Sequence, residues 1–441
     1  MKKEKWIIEY RFIINNTTVF DIGNEEAETI KINSEGNLVM FGSSLAGSIK
    51  KSLRDTYGDI MGSDGEDKQK SIESKIIISD LIGENKGLFK RPGIKINTDT
   101  GTAENKAKLE TTLVTPGKDF SFYIRGEYLE QEDKNRFKNY IQEVRNNIKN
   151  KTIQFGGNKT KGFGEFKIKE ISKLEFVFPK DEDKFLNYLL LEEIGKRDFD
   201  GWENDVKISH LEEDEYEVIN FIGEISDGIL IKGKPKKENG IQIVEFYNEK
   251  QDENRSKSSK ETNYLIPSST IKGNMRSFFI KVKNTFENSD ENSEITNELL
   301  DKVFGNKNRQ GEAVFYDSEI SVKDNENKKF KYNRIKIDRF TGGVMNESLL
   351  TEERIGNTKI TIKVRIKKEI LKTDKNIKKL FLLYFRDLGM GKTTMGSNTS
   401  VGAGRFKNGT LKLGEWKLSF SSEGTIKAEN IVKEEITKLF G

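Results

Sequence analysis

The chain has 441 residues and a formal net charge of +4, from 76 lysines and arginines against 72 aspartates and glutamates. Its length exceeds what a single hydrophobic core normally serves, so we expect at least two domains. It contains no cysteine and one histidine, which excludes disulfides, cysteine nucleophiles, two-histidine ribonuclease chemistry and metal sites built from several histidines.

The cysteine-free composition is typical of a reducing compartment, and we expect a cytoplasmic protein. The early segment "WIIEYRFIINN" is interrupted by Glu9 and Arg11 and alternates as a strand does, so it does not predict a signal peptide. No uncharged apolar stretch reaches the roughly 18 residues of a membrane-spanning helix, and we expect no membrane contact.

The first half of the chain predicts a strand, a helix, paired strands, a helix and a strand, in that order. Trp6–Ile14 alternates as a strand, and the turn at Ser43 and Ser44 begins a helix after a polar loop. Paired strands with a long hairpin follow, then a helix over Glu130–Lys149, the glycine-rich loop "GGNKTKGFGEF" and a closing strand. This order is that of the ferredoxin-like split βαβ fold.

The second half predicts the same elements after a connector. Residues 179–214 change composition sharply, and we interpret them as a connector that carries one helix. Tyr216–Ile225 then predicts an opening strand, "PSSTIKGNMR" a helix start, Asn376–Gly389 the second helix and "GSNTSVGAGRF" the glycine-rich loop. Past about Lys417 the sequence predicts a helical tail.

Matched residues in the two halves indicate an internal duplication. The glycine-rich loops match at one constant spacing: Gly156/Gly396, Asn158/Asn398, Gly162/Gly402, Gly164/Gly404 and Phe166/Phe406. Other blocks match in the same order along the two halves: Gly47/Gly273, Lys50/Arg276, Asp80/Asp317, Ile94/Ile335 and Ile96/Ile337. We therefore predict an α+β protein with two tandem ferredoxin-like modules at residues 1–178 and 215–418. A C-terminal helical extension is expected at residues 419–441.

The repeated helix starts are candidate phosphate sites. Amides at a helix N-terminus bind anions, and hydroxyl groups with a following base add further donors. The candidates are Ser43, Ser44 and Lys50 in the first half and Ser269, Thr270, Lys272 and Arg276 in the second. The alternative is an ordinary serine or threonine cap followed by a solvated base.

The glycine-rich loops are the second candidate surface, because glycine allows close backbone approach to a ligand. Lys159, Lys161, Lys392 and Arg405 flank the loops, and the last three are the candidate RNA-binding residues among them. The alternative is a tight turn before the closing strand. The neighbouring "GMGKTTMG" is not a Walker A loop, since Arg386 occupies the place of its first glycine.

The blocks "PSSTIKGNMR", "VFG", "AVFYD", "IKIDRFTGG" and "GSNTSVGAGRF" together resemble the RAMP superfamily, the repeat-associated proteins that form the backbone of CRISPR effector complexes. The best match is the type III branch. The first half has weaker motifs, with Phe41 where a proline is usual and Ala46 where a lysine is usual.

The resemblance implies an RRM-like fold in which the helix start and the glycine-rich loop hold the guide RNA. It also implies a thumb hairpin in each module, near Thr98–Glu110 and Arg339–Glu352, that interrupts the guide–target duplex. Arg339 is thereby a further candidate RNA-binding residue. Two fused modules would cover two successive guide segments.

The resemblance implies a cleavage site as well. In the family an aspartate between the first strand and the helix start cleaves target RNA, and Asp252 lies at about that place. The first half offers Glu26, Glu28 and, closer to the strand, Asp21. Such a carboxylate would bind a divalent cation, Mg²⁺ or Mn²⁺, or help to deprotonate the ribose 2′-hydroxyl. The alternative is a solvated charged loop, and no organic cofactor is expected.

The function that these implications favour is a backbone subunit of a type III CRISPR ribonucleoprotein that holds crRNA and cleaves complementary target RNA. Its partners would be the crRNA guide, the target RNA and other CRISPR effector subunits. One alternative is a non-catalytic RNA-binding subunit of the same complex. Another is an endoribonuclease that processes CRISPR precursor RNA, which the lone His210 disfavours.

Overall fold

The computed structural model of the chain describes most of its length. The described residues are 4–23, 31–53, 56–62, 72–97, 100, 102–128, 130–193, 203–204, 215–233, 236–238, 241–244, 246–247, 261–287, 296–323, 326–345 and 348–428. The candidate catalytic residues Glu26, Glu28 and Asp252, and also His210, lie outside them.

The chain folds into two compact units. The first unit consists of Met1–Pro92, Leu109–Lys159 and Phe163–Asp214. The second unit consists of Gly93–Lys108, Thr160–Gly162 and Glu215–Gly441.

The elements up to the connector follow the predicted order. They are β1 (Lys5–Asn16), β2 (Leu38–Met40), α1 (Gly42–Ser52), α2 (Gly58–Met61), β3 (Ile76–Ile78), β4 (Leu81–Gly83), β5 (Leu88–Ile96), β6 (Ala103–Val114), β7 (Asp119–Tyr128), α3 (Gln131–Lys149), β8 (Phe166–Phe178), α4 (Glu182–Glu193) and β9 (Glu203–Asn204). The predicted strand at Trp6–Ile14 and the predicted helix at Glu130–Lys149 are confirmed within one or two residues at each end.

Strand β1 lies at the centre of the first unit's sheet. It pairs antiparallel with both β7 and β8, and the order across the sheet is β2-β4-β7-β1-β8-β9, with β3 also paired to β7. Helix α3 covers one face because its apolar residues recur at helical spacing and are buried, from Phe137 to Ile148. Ile7 of β1 does not belong to this core. It packs in a small separate cluster with Phe176 of β8 and Tyr188 of α4.

The second unit repeats this arrangement. Its elements are β10 (Tyr216–Ile225), β11 (Lys236–Glu238), β12 (Ile241–Val244), β13 (Glu261–Ile266), α5 (Ser268–Glu287), α6 (Asn297–Phe304), β14 (Ala313–Phe315), β15 (Ser318–Lys323), β16 (Lys329–Arg334), β17 (Leu350–Ile355), β18 (Thr358–Lys367), α7 (Lys368–Thr373), α8 (Lys375–Gly389), β19 (Phe406–Leu413), β20 (Trp416–Ser421) and β21 (Ile426–Ala428). Strand β10 is central between β18 and β19 in the order β14-β18-β10-β19-β20-β21.

In each sheet the first strand of the split βαβ unit lies between the third and fourth strands of that unit. In the first unit β1 lies between β7 and β8, and in the second β10 lies between β18 and β19. This is the ferredoxin-like topology, so the predicted α+β fold with two tandem modules is confirmed. The sequence of each module also includes a hairpin, β5 with β6 in the first and β16 with β17 in the second, although Gly93–Lys108 of the first hairpin belongs to the second unit. None of the helices in the described part of the chain is long and apolar enough to cross a membrane.

The predicted C-terminal helical extension is wrong for residues 419–428. Strand β20 pairs with β19, and β21 pairs with β20 across a turn at Gly424, whose φ is +84°. The reason is a period of two: Leu418 and Phe420 are buried while the residues between them are not. Residues 429–441 lie outside the described part.

Candidate nucleic-acid interface

The first amide of each repeated helix donates a hydrogen bond to an aspartate that lies far away in the sequence, next to the end of a strand. The Gly42 amide, at the start of α1, donates to Asp80 Oδ1 at 2.7 Å, and the Ser268 amide, at the start of α5, donates to Asp317 Oδ1 at 2.7 Å. A carboxylate is favourable there because the N-terminal end of a helix dipole is positive. The matched pair Asp80/Asp317 therefore has one role in both modules.

This aspartate changes the role of the serines. Phe41 occupies the cap position of α1 and makes no side-chain cap hydrogen bond, so the alternative of an ordinary serine cap is wrong for this helix. Ser43 and Ser44 lie in the first turn of α1 with exposed side chains. In α5, Ser269 is exposed and Thr270 is half-buried.

The glycine-rich loops are held by the same backbone hydrogen bonds in both modules. The Phe155 amide donates to Gly164 O at 2.9 Å, and the Met395 amide donates to Gly404 O at 3.0 Å. A Cβ on Gly164 or on Gly404 would lie 1.8 Å from a carbonyl oxygen, and φ is +72° and +73° at these positions. Only glycine fits such a site, which explains why the spacing is repeated.

The asparagine of each loop is also matched in conformation. Asn158 and Asn398 are left-handed, with φ of 54° and 60°. Asn158 Nδ2 donates to Asp21 Oδ2 at 2.6 Å, whereas Asn398 Nδ2 donates to Glu352 Oε1. A carboxylate therefore anchors each loop, but it comes from a different element in each module.

Asp21 therefore makes several hydrogen bonds that stabilise the first loop. It is 6% exposed, and besides Asn158 it accepts a hydrogen bond at Oδ1 from the Gly23 amide at 3.0 Å. Its backbone carbonyl accepts from the Gly157 amide at 2.8 Å. These bonds hold the first loop against the segment that follows β1, and catalysis by Asp21 stays a prediction.

A half-buried lysine lies near each helix start. Lys159 Nζ donates to Ser48 Oγ of α1 at 2.9 Å. Burial, and then the nearby charge of Lys51, lowers the pKa of Lys159 to about 8. Loss of solvent destabilises the charged form of an amine, so an anion placed beside this ammonium would be bound favourably.

Lys272 is the half-buried lysine of the second unit, and it lies on α5 itself and not in the glycine-rich loop. Its Nζ donates to Thr160 Oγ1 at 2.8 Å, and Thr160 belongs to the same unit. Burial, followed by the positive charges of Lys161 and Arg276, lowers the pKa of Lys272 to about 8. The structure thus brings three predicted RNA-binding residues together as one cationic cluster, which we call the Lys272 cluster: Lys272, Lys161 and Arg276.

The other predicted basic residues are placed differently. Lys50 is half-buried, and its Nζ donates to Gly62 O at 2.8 Å. Lys392, Arg405 and Arg339 are not buried. Arg405 is at the end of the second loop, where its backbone bridges to Thr394.

The hairpin between β16 and β17 projects an arm, which we define as residues 335–349. Asp338 Oδ1 accepts from the amides of Phe340 and Thr341, at 2.9 and 2.8 Å. These hydrogen bonds, that of Thr341 first, hold the pKa of Asp338 below its usual value. They fix the turn at the tip, where Phe340 is 100% exposed. Val344 and Met345 are exposed on this hairpin as well.

The hairpin between β5 and β6 has a related turn. Asn97 Oδ1 accepts from the Thr100 amide at 3.0 Å, as Asp338 accepts from Thr341. The exposed isoleucines Ile94 and Ile96 match Ile335 and Ile337. The residue that matches Phe340 is Asp99, which lies outside the described residues.

Sequence reasoning missed the buried carboxylate at the root of the arm. Glu352 is 1% exposed and lies 3.3 Å from Arg334 Nε and 3.5 Å from Arg354 Nη2. A signal was present in "LTEERI", because Glu352 and Arg354 fall on one face of an alternating strand and would be buried together.

The described residues contain no preformed cluster of metal ligands. Among them, no group of three or more histidines, aspartates or glutamates is placed to hold a metal ion. Both carboxylate oxygens of Asp21 already accept hydrogen bonds. Glu26, Glu28 and Asp252 lie outside the described residues, so the divalent cation stays a prediction.

The fold and the interface together define a tandem protein of two ferredoxin-like modules, each with a glycine-locked loop and a projecting hairpin. A family model described as RAMPs, the RAMP superfamily, matches residues 22–167 and 248–407. The matched regions span more than half of the chain, and the chain belongs to this superfamily. No curated protein matches it. Family membership gives the chain a CRISPR-associated, RNA-binding function in the coarse sense.

Proposed function

We propose that the chain is a backbone subunit of a type III CRISPR ribonucleoprotein that holds the crRNA guide through its phosphates. The Lys272 cluster is the observation that carries this proposal. Lys272 is half-buried and is repelled by the charges of Lys161 and Arg276, and a polyanion that tracks the surface would relieve both costs. Hydroxyl groups in the first turn of α5 add neutral phosphate donors.

The glycine-rich loops support the same function. Their backbone shape is set by internal hydrogen bonds and by glycines with positive φ, so close approach of a sugar–phosphate backbone is sterically possible. Lys159 and Arg405 add positive charge beside the two loops. Two such loops in one chain would hold two successive guide segments.

The arm supports a role in the guide–target duplex. An apolar side chain that is 100% exposed on a fixed turn has no partner in the described residues of the chain. Such a side chain can wedge between bases and unstack them. Phe340 is the residue that we expect to do this, with Arg339 beside it contacting the RNA backbone.

Cleavage of the target RNA is the finer part of the proposal and rests on Asp252. Asp252→Ala tests this part: loss of one cut with normal guide binding supports catalysis, and retention of every cut contradicts it. In the latter case Asp252 is not catalytic, and the candidates of the first module, Glu26, Glu28 and Asp21, are left to be tested in the same way.

The experiment for guide binding is the double variant Lys272→Ala/Arg276→Ala. Retention of the co-purifying RNA is measured against salt, and each lost phosphate contact should reduce the salt slope by about one. The matched control removes the exposed Lys281 of α5 and the exposed Lys412 of β19, and should leave the slope unchanged. An unchanged slope in the Lys272/Arg276 variant contradicts the proposal.

A further inference from the structure

The arm and the glycine-rich loop of the second unit meet at one buried carboxylate. Arg334 is the last residue of β16 and Leu350 is the first of β17, so the arm leaves the sheet between them. Glu352 lies two residues further on, and its carboxylate is within 3.3 Å of Arg334 Nε. On the other side it accepts from Asn398 Nδ2 of the loop.

Each partner of Glu352 controls the direction of a segment. Asn398 is left-handed, and its carbonyl accepts from the amides of Val401 and Ala403, so it sets the turn that opens the loop. Arg334 sets the exit of the arm. Arg354 is the third partner, and its guanidinium lies 4.3 Å from the ring centroid of Tyr332 on β16. The carboxylate therefore connects the loop to both strands of the hairpin.

The role of such a buried ion pair is better explained by the fixed arrangement of its groups than by a gain in folding stability. Removing charges from water costs about as much as their attraction returns, so such a pair adds little net stability. Its directional hydrogen bonds nevertheless admit only one arrangement of the groups that make them. What Glu352 contributes is a direct side-chain link between two segments that the described backbone joins only through residues 228–230, to which both the loop and Ile355 of β17 are hydrogen-bonded.

The described residues of the first unit do not form this link. There the loop asparagine bonds to Asp21, which follows β1 and not a hairpin strand. The bridges Phe20↔Val114 and Ile229↔Ile355 align the two hairpins, and the position that matches Glu352 is then Thr111. The connection from loop to hairpin through a carboxylate is thus a property of the second unit's own sequence.

We propose that Glu352 is a positioning residue that holds the glycine-rich loop and the arm of the second unit at one fixed separation. This inference rests on the proposed function, because the separation then sets which base of a loop-bound guide duplex meets Phe340. The distance from the loop to the arm thereby determines the nucleotide at which a duplex anchored at the loop is unstacked.

The absence of cysteine from the chain allows a direct test. Spin labels are attached through Ser400→Cys in the loop and Val344→Cys in the arm, both of which are exposed sites. The distance distribution between the labels is expected to be narrow in this background and broad once Glu352→Gln is added. Glu353→Gln, next to it on β17, is the matched control and should keep the narrow distribution.

Asn398→Gly provides a second variant that does not place an unbalanced charge in the interior. Glycine accepts the left-handed conformation, so only the side-chain hydrogen bond is lost. The distribution should broaden as it does with Glu352→Gln, and the double variant should be no broader, because both changes break the same link. A narrow distribution in Asn398→Gly overturns the inference, even if Glu352→Gln fails to fold.

The RNA readout separates this inference from the proposed function. Target strands carrying 2-aminopurine at successive positions are annealed to the co-purifying guide on the full chain. The fluorescence maximum should fall on one nucleotide in the wild type and spread to its neighbours in Glu352→Gln, with the salt slope of guide retention unchanged. A single maximum at the wild-type nucleotide in both variants refutes the positioning role alone. Failure of the wild type to retain RNA refutes the proposed function.

Discussion

The two modules build the same loop with different side chains. Gly164 and Gly404 make equivalent close contacts with backbone carbonyls, yet Asn158 is anchored by Asp21 and Asn398 by Glu352. A close backbone contact admits one residue type, whereas a carboxylate can reach an amide from any neighbouring element. Duplication therefore preserves the loop glycines strictly and leaves the choice of anchor free.

The largest expected effect is on the shared feature. Gly404→Ala should lower the free energy of unfolding by roughly 2–4 kcal/mol, because the new Cβ meets a carbonyl oxygen and φ is unfavourable. Gly402→Ala is the matched control, since its φ is +85° but nothing lies within 4 Å of its Cβ. It should cost only about 1–2 kcal/mol. Urea unfolding measures both, and equal losses would contradict the steric explanation.

The lysines test whether both modules bury a cation at the interface. The pKa values of Lys159 and Lys272 fall from 10.5 to about 8 on folding. Between these values the unfolded chain holds more protons, so stability should rise as the pH rises from about 8 to 10.5.

Replacing either lysine by methionine should remove part of that rise, by roughly 2–3 kcal/mol at most. The urea midpoint measured across this pH range gives the result, with the exposed Lys281→Met as control. A rise of the same size in the lysine variants would show that neither group is the source.

The helix caps should respond equally in the two modules. Asp80→Ala and Asp317→Ala each remove the acceptor of a first helical amide, and we expect a loss of about 1 kcal/mol in each case. Thermal unfolding of the two variants is the measurement. A much larger loss in one of them would mean that its aspartate has a further role.

The smallest effect on stability is expected at the tip of the arm. Phe340 is 100% exposed, so Phe340→Ala should change the free energy of unfolding by no more than about 0.5 kcal/mol. The same variant should lose the 2-aminopurine signal at one target position and keep any signal at the other module. Loss at both positions would contradict a separate role for each hairpin.

The strand and helix order was predictable because periodicity encodes it locally. β1, β10, α3 and α8 follow alternation or helical spacing, and the repeated glycines located both loops. The hairpin of β20 and β21 was missed although Leu418 and Phe420 alternate, because a short strand at a sheet edge gives few residues to count.

The candidate site was predictable in part for a different reason. The repeated helix start, followed by basic residues, brought Lys272 and Arg276 to attention, and they do lie with Lys161. Asp80 and Asp317 were recognised as a pair, but their capping role depends on contacts with residues far away in the sequence. For the same reason Lys50, which donates to Gly62 O, did not reveal its partner. Glu352 was missed because its three partners come from three segments.

The locked glycine loops also have a consequence for the thermodynamics of binding. A loop whose turn is already set by its own amide–carbonyl bonds, as at Met395 and Gly404, has little conformational freedom left to lose when a ligand arrives. Ordering of a flexible loop normally subtracts from affinity, and here that cost has been met during folding. Calorimetry of RNA binding should accordingly show a small entropic penalty from the protein, beside a favourable entropy of counterion release that decreases as the salt concentration rises.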